Sequence, residues 1–418
     1  MAERLVIESG VRLQGAVAVS AAKNAALPAL AATLLTSEPV VFENLPTLAD
    51  VGTISQLLER LGAEIATDVQ GGTRVQVARL KSHEAPYELV STMRASVLVL
   101  GPLLARTGRA RVALPGGCAI GLRPIDQHLK GLTRLGAEIR IENGYVEACA
   151  SRLKGSRIAT DLVTVTGTEN LMMAATLAEG TTLIENAARE PEVADLAVLL
   201  QALGARIEGA GTERIEIQGV PDLGGGRHRI IPDRIEAGTL LTAGAITGGD
   251  VTVTGVVPRH VSAVLAKLEE AGVTLEVGEA VVRVRGPERP RATDVITQPF
   301  PGFPTDMQAQ VMSLLGLADG ISRFTETIFE NRFIHAAELC RMGARIETDG
   351  ATAIVRGVAC YQGAPVMASD LRASAALVLA ALAARGRTEI SRVYHLDRGY
   401  ERLDVKLGQL GARIRREL

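Results

Sequence analysis

Two kinds of apolar pattern alternate along the chain. Ranges such as 93–105 and 371–384 are apolar on nearly every side, which predicts buried helices. Ranges such as 262–272 place apolar side chains on one face only, which predicts amphipathic helices with a solvent-facing side. Short segments rich in β-branched residues, such as 181–187, lie between the two kinds of helix and predict strands. The chain is therefore expected to be an α/β protein.

One motif organises the whole sequence. A segment of the form Leu-Gly-Ala-x-Ile, or a close variant, ends each amphipathic helix, and its glycines lie 68 to 74 residues apart: Gly62, Gly136, Gly204, Gly272, Gly343 and Gly411. A glycine after the last apolar position is a typical helix end, and the isoleucine then begins a strand. Six such repeats predict two domains of three repeats each.

Charged residues occupy one position of this repeat, at the beginning of the buried helix. The six residues there are Lys23, Arg94, Thr166, Arg234, Asp306 and Arg372. Cations at a helix N-terminus add to its positive dipole, which predicts an anion site, with a structural salt bridge as the alternative for any single residue. Asp306 is the one carboxylate, which neighbouring cations would keep ionised, either as a base or as a counter-ion.

A second repeat position lies in the loop before each amphipathic helix. It carries Arg123 and Arg398, and Arg332 lies two residues from it. Such an arginine can hold a phosphate or carboxylate through two hydrogen bonds, or it can bind loop carbonyls instead. The second repeat is longer around 114–124, where Cys118 follows two glycines. This loop predicts an accessible thiol, with an incidental loop cysteine as the alternative.

Composition narrows the possible functions. The 418 residues include 45 Lys or Arg and 47 Asp or Glu, so the net charge is −2, and only 3% of residues are aromatic. This balance provides neither a basic field nor a stacking surface, so we expect no nucleic-acid partner. The N-terminal residues resemble no signal peptide, and no apolar stretch is long enough for a membrane span, so a cytoplasmic protein without membrane insertion is expected.

The cysteines and histidines lack the spacing of metal ligands. The four cysteines lie far apart without a CxxC pair, and the six histidines form no HxH or HxxxH pattern, so no metal site is expected. The phosphate-binding pattern GxxxxGK[ST] is also missing from the sequence. Cys149, Cys340 and Cys360 lie among apolar or strand residues, which predicts inert core thiols.

Eight segments carry a resemblance that covers essentially the whole length. They are SAAKNAALPALAATLL (20–35), TMRASVLVLGPL (92–103), LPGGCAIGLRPID (114–126), TENLMMAATLAEGTTLIENAAREPEV (168–193), FPTDMQAQ (303–310), FENRFIHAAEL (329–339), DLRASA (370–375) and HLDRGYERL (395–403). Together they closely resemble the enolpyruvyl transferases, and among these the UDP-N-acetylglucosamine 1-carboxyvinyltransferase (MurA) family.

The resemblance implies a fold and its domain limits. The fold is a two-domain inside-out α/β barrel of six βαβαββ repeats, three per domain. One domain would combine residues 1–22, with the N-terminal strand, and residues 233–418, with repeats 4 to 6. The other would hold residues 23–232, with repeats 1 to 3 and a catalytic cysteine loop at about 113–124.

The resemblance also implies a reaction. The enolpyruvyl group of phosphoenolpyruvate would move to the 3′-hydroxyl of UDP-N-acetylglucosamine, with release of phosphate, by addition and elimination and without a cofactor. This is the first committed step of peptidoglycan precursor synthesis in bacteria, and it serves cell wall biogenesis, cell shape and cell division. The expected partners are these two small-molecule substrates, and we expect a monomer.

Residue roles follow from the same resemblance. The implied catalytic residues are Cys118, Asp306, Lys23 and Arg398. The implied phosphoenolpyruvate ligands are Lys23, Asn24, Arg123, Arg332, Arg372 and Arg398. The implied nucleotide-sugar contacts are Arg94, Arg123, Pro124, Ile125, Asp126, Gln127, Thr164, Val165, Asp306 and Ile328. Cys118 would be the general acid and the thiol modified by phosphoenolpyruvate or fosfomycin, and Asp306 would bind and deprotonate the 3′-hydroxyl.

Two departures from the family pattern and three alternatives remain. Ala21 replaces a usual glycine, and residues 164–167 read Thr-Val-Thr-Gly where Ser-Val-Gly-Ala is common, which leaves backbone contacts to the uridine phosphates open. The nearest alternative, 5-enolpyruvylshikimate-3-phosphate synthase, lacks the LPGGC loop. An RNA 3′-phosphate cyclase is disfavoured because the sequence predicts no basic surface. The intact set Lys23, Cys118, Asp306 and Arg398 disfavours a non-catalytic UDP-sugar-binding paralogue.

Overall fold

The computed structural model describes residues 3–114 and 125–417. Within these ranges the contacts divide the chain into two compact units. Unit 1 takes residues 3–20 and 232–417, and unit 2 takes residues 21–114 and 125–231. Each unit has three four-stranded sheets and its own apolar core.

The helices of the described ranges follow the alternation of the sequence. They are α1 Lys23–Ala32, α2 Ala49–Leu61, α3 Tyr87–Val90, α4 Leu100–Thr107, α5 Asp126–Arg134, α6 Val165–Thr176, α7 Pro191–Ala202, α8 Arg234–Ile246, α9 Ser262–Glu270, α10 Gln308–Leu315, α11 His335–Arg341, α12 Leu371–Ala383, α13 Tyr394–Asp397 and α14 Leu403–Gln409. Short 3₁₀ segments cover Thr33–Leu35, Arg94–Val99, Pro258–His260 and Thr305–Met307.

The strands of the described ranges are short. They are β1 Arg4–Glu8, β2 Gln14–Ala18, β3 Val40–Phe42, β4 Glu64–Thr67, β5 Thr73–Gln76, β6 Glu84–Ala85, β7 Arg109–Ala113, β8 Glu138–Glu142, β9 Tyr145–Cys149, β10 Arg157–Ala159, β11 Thr181–Glu185, β12 Arg206–Glu208, β13 Arg214–Gln218, β14 Gly226–His228, β15 Asp250–Thr254, β16 Thr274–Val277, β17 Val281–Arg285, β18 Val295–Ile296, β19 Ile321–Thr325, β20 Arg345–Asp349, β21 Thr352–Arg356, β22 Pro365–Met367, β23 Arg387–Ser391 and β24 Arg413–Glu417.

The third repeat shows the βαβαββ order in full. β10 leads into the buried helix α6 and pairs in parallel with β11, because the helix provides the crossover that parallel strands need. The amphipathic helix α7 follows, and β12 and β13 form an antiparallel hairpin whose second strand pairs with β11. The same pattern generates the six sheets, three in each unit, so the predicted six repeats are confirmed.

Strands from distant parts of the chain complete three of the sheets. β1 lies between β23 and β24 and pairs antiparallel with both. β2 pairs in parallel with β15, so the N-terminal residues belong to unit 1 although they precede unit 2 in sequence. β14 pairs in parallel with β3 and supplies the strand that the first repeat lacks. Each missing strand of the repeat pattern is thus supplied within the same unit.

The six motif glycines end the amphipathic helices as predicted. Their φ angles lie between +90° and +118°, in the left-handed region that glycine adopts without strain. At Gly62 a side chain would also meet the carbonyl oxygen of Arg79 at 2.6 Å and the backbone nitrogen of Lys81 at 2.9 Å. The Leu-Gly-Ala motif is therefore required by backbone geometry.

The predicted buried helices form the centre of each unit. In α8 every residue after Arg234 is buried, and α8, α10 and α12 pack against one another in unit 1. One difference from the sequence prediction concerns residues 93–105, whose first part is the 3₁₀ segment Arg94–Val99. Pro102 explains it, because proline lacks the backbone N–H that an α-helical bond to Leu98 needs. Among the described residues no helix has the length and apolar character to cross a bilayer.

Candidate active site

In unit 1, capped helix starts place arginines at the end of the buried core. Oδ1 of Asp370 accepts hydrogen bonds from the backbone N–H of Arg372 at 2.8 Å and of Ala373 at 3.0 Å. It thus supplies an acceptor to two backbone N–H groups in the first turn of α12 that have no partner within the helix. Asp233 caps α8 in the same way. Arg234 and Arg372 therefore lie in the first turns of their helices, as the repeat position predicts.

Asp306 is held between two arginines. Its Oδ1 accepts from Nη2 of Arg332 at 2.8 Å, and its Oδ2 accepts from Nη2 of Arg372 at 2.9 Å. The side chains of Arg332 and Arg372 are 5% and 3% exposed, whereas that of Asp306 is 26% exposed. We call these three residues the arginine clamp. It brings together three of the predicted site residues, which come from three separate segments of unit 1.

The clamp determines the charge of its members. Burial alone would raise the pKa of Asp306, but the charges of Arg372, Arg332 and Arg234 hold it well below its ordinary value. Burial by itself would lower the pKa of Arg372, but the negative charge of Asp306 has the larger effect and raises it. The Nε and Nη1 atoms of Arg372 are buried without a hydrogen-bond partner among the described residues. These donors are suited to an anionic ligand.

Neighbouring side chains hold the clamp in place. The guanidinium of Arg372 lies 5.3 Å from the ring centroid of Tyr400, and the Tyr400 hydroxyl accepts from Nε2 of Gln310 at 3.0 Å. Gln310 Nε2 also donates to the backbone carbonyl oxygen of Asp306 at 2.8 Å. The backbone of Asp306 and the ring beneath Arg372 are thus fixed by one buried amide.

A buried carboxylate organises the loop that carries Ile328. Glu326 is 3% exposed, and its Oε1 accepts from the backbone N–H of Ile328 at 2.8 Å and of Phe329 at 3.2 Å. Its Oε2 accepts from the hydroxyl of Thr305, next to Asp306, at 2.9 Å. Glu326 therefore links the position of Ile328, whose side chain is 36% exposed, to the segment that carries the clamp.

In unit 2, the first helix begins with a buried ion pair. Lys23 is the first residue of α1, and its Nζ lies 2.8 Å from Oδ2 of Asp50, the second residue of α2. The two side chains are only 11% and 5% exposed. Asn24 follows Lys23 and is half-buried. Asp50 thus neutralises and orients the cation for which the family resemblance implies a role in phosphoenolpyruvate binding.

The predicted nucleotide-sugar residues of unit 2 lie on two linked segments. Gln127 donates from Nε2 to Asp126 at 2.7 Å and to Asp161 at 3.1 Å, and its Oε1 accepts from the backbone N–H of Asp161 at 2.9 Å. These bonds join the start of α5, which Ile125 precedes, to the loop before α6. At the end of that loop Thr164 caps α6, and Val165 is its first residue.

Two further predicted residues lie at short helical segments, and three lie outside the described residues. Arg94 begins the 3₁₀ segment of the second repeat, and Arg398 follows α13 and is half-buried. Cys118, Arg123 and Pro124 lie outside the described residues. Within residues 3–114 and 125–417, no group of three His, Cys, Asp or Glu side chains is arranged to hold a metal ion.

Comparison with known proteins identifies the family. The EPSP synthase (3-phosphoshikimate 1-carboxyvinyltransferase) family matches residues 7–407. The protein named UDP-N-acetylglucosamine 1-carboxyvinyltransferase from Anaeromyxobacter sp. (strain K) is 62% identical over 418 residues, which cover 99% of both chains. The protein of that name from Anaeromyxobacter dehalogenans (strain 2CP-1 / ATCC BAA-258) is 61% identical, again over 99% of both chains.

The chain belongs to the UDP-N-acetylglucosamine 1-carboxyvinyltransferase family. Solved structures agree in fold: the enolpyruvyl transferase NikO from Streptomyces tendae superposes with a TM-score of 0.89 at 30% identity, covering 100% of this chain and 99% of that one. EPSP synthase from Acinetobacter baumannii superposes with a TM-score of 0.75 at 17% identity over the full length of both chains, which shows a shared fold alone. The identity of 61–62% to UDP-N-acetylglucosamine 1-carboxyvinyltransferases, against 17% to this EPSP synthase, favours the former family.

One sequence prediction about the thiols of this family member was wrong. Cys149 and Cys340 are exposed, and Cys360 is half-buried, so none of the three is a core thiol. In β9 the side chains alternate, and Val146 and Ala148 face the core while Cys149 faces outwards. Being in a strand therefore did not imply burial.

The sequence analysis also missed two carboxylates that contact predicted site residues, Asp50 at Lys23 and Glu326 at Ile328. Asp50 was available as a signal, because it follows the second repeat position at Ala49 and begins a predicted helix. Glu326 had no such signal in the sequence. Its partner Ile328 lies on the same loop, but its partner Thr305 lies on a separate segment that only the fold brings close.

Proposed function

We propose that this protein transfers the enolpyruvyl group of phosphoenolpyruvate to the 3′-hydroxyl of UDP-N-acetylglucosamine and releases phosphate. In a bacterial cytoplasm this step begins the synthesis of peptidoglycan precursors, on which cell wall biogenesis, cell shape and cell division depend. We further propose that the protein acts as a monomer. Membership of the carboxyvinyltransferase family supports the type of reaction.

The arginine clamp is the observation that carries this proposal. Phosphoenolpyruvate bears a phosphate and a carboxylate, so a protein of net charge −2 must concentrate cations locally to bind it. Arg372 supplies buried N–H donors without partners, and Asp306 already occupies one side of it as an anion would. We assign Arg332, Arg372 and Arg398 in unit 1 to this substrate, together with Lys23, Asn24 and Arg123.

Addition requires a proton at C3 of phosphoenolpyruvate and a nucleophile at C2. We assign the proton to the thiol of Cys118 and the nucleophile to the 3′-oxygen, which transfers its own proton to Asp306. The product of addition is a tetrahedral phospholactoyl adduct. Elimination then breaks the bond between C2 and the phosphate oxygen, C3 loses a proton, and inorganic phosphate leaves with the electron pair.

The clamp couples substrate binding to the strength of the base. With both oxygens on arginines and a lowered pKa, Asp306 is a weak base. An anionic substrate group that binds Arg332 and Arg372 weakens these bonds and places negative charge beside the carboxylate. Both effects raise the pKa of Asp306, because its charged form loses stabilisation. Asp306 therefore becomes a competent base once phosphoenolpyruvate is bound.

The nucleotide sugar has its own set of proposed contacts. We assign it to Arg94 and Arg123, to residues 124–127, and to Thr164, Val165, Asp306 and Ile328. The linked segments around Gln127 and Thr164 support this assignment in unit 2, because they bring the start of α5 and the start of α6 together. The positive end of a twelve-residue helix suits the diphosphate.

The decisive experiment measures phosphate release from phosphoenolpyruvate with each of two acceptors. Purified protein should release phosphate with UDP-N-acetylglucosamine and should release none with shikimate 3-phosphate. The opposite pattern would establish the EPSP synthase alternative. Binding of UDP-N-acetylglucosamine without any turnover would establish the non-catalytic paralogue instead.

A second experiment assigns the reactive thiol. Intact-mass spectrometry should show that the wild-type protein gains the mass of one fosfomycin molecule and that Cys118→Ser gains none. Cys149→Ser is the matched control, because Cys149 is an exposed thiol and its replacement should leave labelling unchanged. Cys118→Asp should retain turnover and resist fosfomycin, since a carboxylic acid also donates a proton. Labelling that persists in Cys118→Ser would show that another cysteine is the target.

A further inference from the structure

Unit 2 contains a directed chain of hydrogen bonds that ends at the beginning of α6. The backbone N–H of Gly101 donates to Oδ1 of Asn170 at 2.8 Å. Nδ2 of Asn170 lies 2.9 Å from Nδ1 of His128, and Nε2 of His128 lies 3.3 Å from the hydroxyl oxygen of Thr166. Asn170 is fully buried and His128 is 3% exposed, whereas Thr166 is half-exposed.

The chemistry of each group fixes the direction of this chain. Since a backbone N–H can only donate, it must face the carbonyl oxygen of the Asn170 amide, and the amide nitrogen must therefore face His128. The 3.5 Å contact of that nitrogen with the carbonyl oxygen of Val97 agrees with this orientation. Nδ1 of His128 is consequently an acceptor, and the single ring proton lies on Nε2.

The last step of the chain leaves one proton directed away from the core. Because Nε2 of His128 is the donor, the Thr166 oxygen accepts, and its own proton is available to a further acceptor. No acceptor for it occurs among the described residues. Burial and the charge of Arg94, opposed by Asp126, lower the pKa of His128 to about 4, so the ring is neutral at physiological pH and the chain persists.

We propose that Thr166 is a binding residue for the nucleotide sugar, whose hydroxyl donates a hydrogen bond to an anionic or carbonyl oxygen of that substrate. His128 and Asn170 act as positioning residues that orient the hydroxyl. The inference rests on the proposed function, which assigns the neighbouring Thr164 and Val165 to the same ligand. Thr166 stands in the Thr-Val-Thr-Gly segment that departs from the common Ser-Val-Gly-Ala pattern, so this donor distinguishes the chain from relatives that have glycine there.

The first test removes the hydroxyl and keeps the shape. Thr166→Val should raise the KM for UDP-N-acetylglucosamine about tenfold, which corresponds to one hydrogen bond to a charged group, with kcat and the KM for phosphoenolpyruvate changed less than about twofold. Thr166→Ser should restore the wild-type KM because it restores the donor. Thr133→Val, an exposed position on the helix that carries His128, is the control and should change nothing. An unchanged KM in Thr166→Val would overturn the proposal.

The second test examines the positioning role of His128. His128→Gln keeps an acceptor and a donor and should retain most of the affinity, whereas His128→Leu should raise the KM nearly as much as Thr166→Val. If His128 acts through Thr166, the double variant His128→Leu with Thr166→Val should be no worse than either single variant. A KM in the double variant that rises by the product of the two single effects would contradict this role. Thermal unfolding of each variant identifies any that fail to fold.

A spectroscopic measurement tests the tautomer directly. In protein labelled with ¹⁵N histidine, the His128 ring should show a protonated Nε2 and an unprotonated Nδ1, and Asn170→Leu should abolish the preference. A proton on Nδ1 in the wild-type protein would refute the proposed direction of these hydrogen bonds. These outcomes are separate from the proposed function: if wild-type protein turns over UDP-N-acetylglucosamine and Thr166→Val keeps its KM, only the inference fails, and if wild-type protein neither binds nor uses it, the proposed function fails.

Discussion

The two units repeat one scaffold and differ at the polar end of their buried helices. At the same repeat position unit 1 carries Arg234, Asp306 and Arg372, and unit 2 carries the residues Lys23, Arg94 and Thr166. In unit 1 the odd residue is a carboxylate, which the arginines hold in an ionic clamp. In unit 2 it is a hydroxyl, which a neutral chain of side chains orients.

This difference shows how a repeated fold acquires distinct chemistry. The six sheets and the motif glycines, which end the amphipathic helices, form the shared scaffold. Single side chains in the first turn of each buried helix determine what that helix start can bind. Buried charge needs a partner, so unit 1 positions its own carboxylate at the arginines. Buried neutral groups need only hydrogen-bond partners, so in unit 2 the side chains of Asn170 and His128 can orient the hydroxyl of Thr166 without a charged partner.

The largest effect is expected from breaking the clamp of unit 1. Asp306→Ala should lower kcat about 10³-fold, the range of a lost general base, while far-UV circular dichroism shows that the fold survives. Asp319→Ala is the control, since among the described residues the exposed Asp319 carboxylate pairs with Arg289 alone. Near-normal kcat in Asp306→Ala would remove the base from the mechanism.

Inorganic phosphate sharpens the same comparison. The vacated arginines of the Asp306→Ala variant should bind phosphate more tightly than the wild-type clamp does, so phosphate should raise Tm more in the variant. An equal rise in both proteins would contradict the role of Asp306 as an internal anion.

The ion pair of unit 2 comes next in size. Asp50→Asn removes the negative charge 2.8 Å from the buried Lys23 ammonium and should lower the free energy of unfolding by about 3 kcal/mol. Denaturation by urea, followed by circular dichroism, measures the loss. Glu8→Gln, which breaks the exposed pair with Arg415, is the control and should be indistinguishable from wild type. A similar result for both variants would mean that burial does not distinguish the two pairs.

Equivalent glycines of the two units should tolerate alanine differently. Gly343 has a φ of +91° and only Cγ of Gln362, at 3.9 Å, near an added Cβ, so Gly343→Ala should cost about 1–2 kcal/mol of backbone strain. Gly62→Ala adds a contact of 2.6 Å with the Arg79 carbonyl oxygen and should cost about 3 kcal/mol in total. Urea denaturation of both variants measures the difference, and equal losses would show that the backbone near Gly62 yields without cost.

A last comparison is a pH dependence of opposite sign in the two units. Burial lowers the pKa of His128 in unit 2 to about 4, so the unfolded chain binds the proton first and stability falls as the pH drops from 6.5 to 4. Between pH 7 and pH 5 this one group should cost about 2 kcal/mol.

Glu236 in unit 1 behaves in the opposite way. Its pKa is raised to about 7, first by burial and against the charge of Lys406, so the folded chain binds the proton first. Its contribution is present below pH 4.5 and is lost as the pH rises through 7, about 2 kcal/mol between pH 5 and pH 7. His128→Gln and Glu236→Gln should therefore change the slope of unfolding free energy against pH in opposite directions. Slopes that change in the same direction would refute the assignment.

Much of the fold was predictable because it follows from local rules that the chain repeats six times. The motif glycines end helices at the positive φ angles that their position predicts, and the apolar segments form the buried helices. The 3₁₀ turn at Arg94–Val99 and the exposed Cys149 were not foreseen, because a proline two residues into the next helix and the face of a strand decide them.

The sequence by itself determined the family, the six repeats and the positions at which charged residues begin helices. The family follows from the resemblance of whole motifs, and the repeats and the charged helix starts follow from spacing along the chain. The tertiary structure alone decided which partners those residues meet: Arg332 and Arg372 at Asp306, Asp50 at Lys23, and His128 at Thr166. Such contacts join residues far apart in sequence, and their protonation and direction depend on burial and geometry that only the packed helices create.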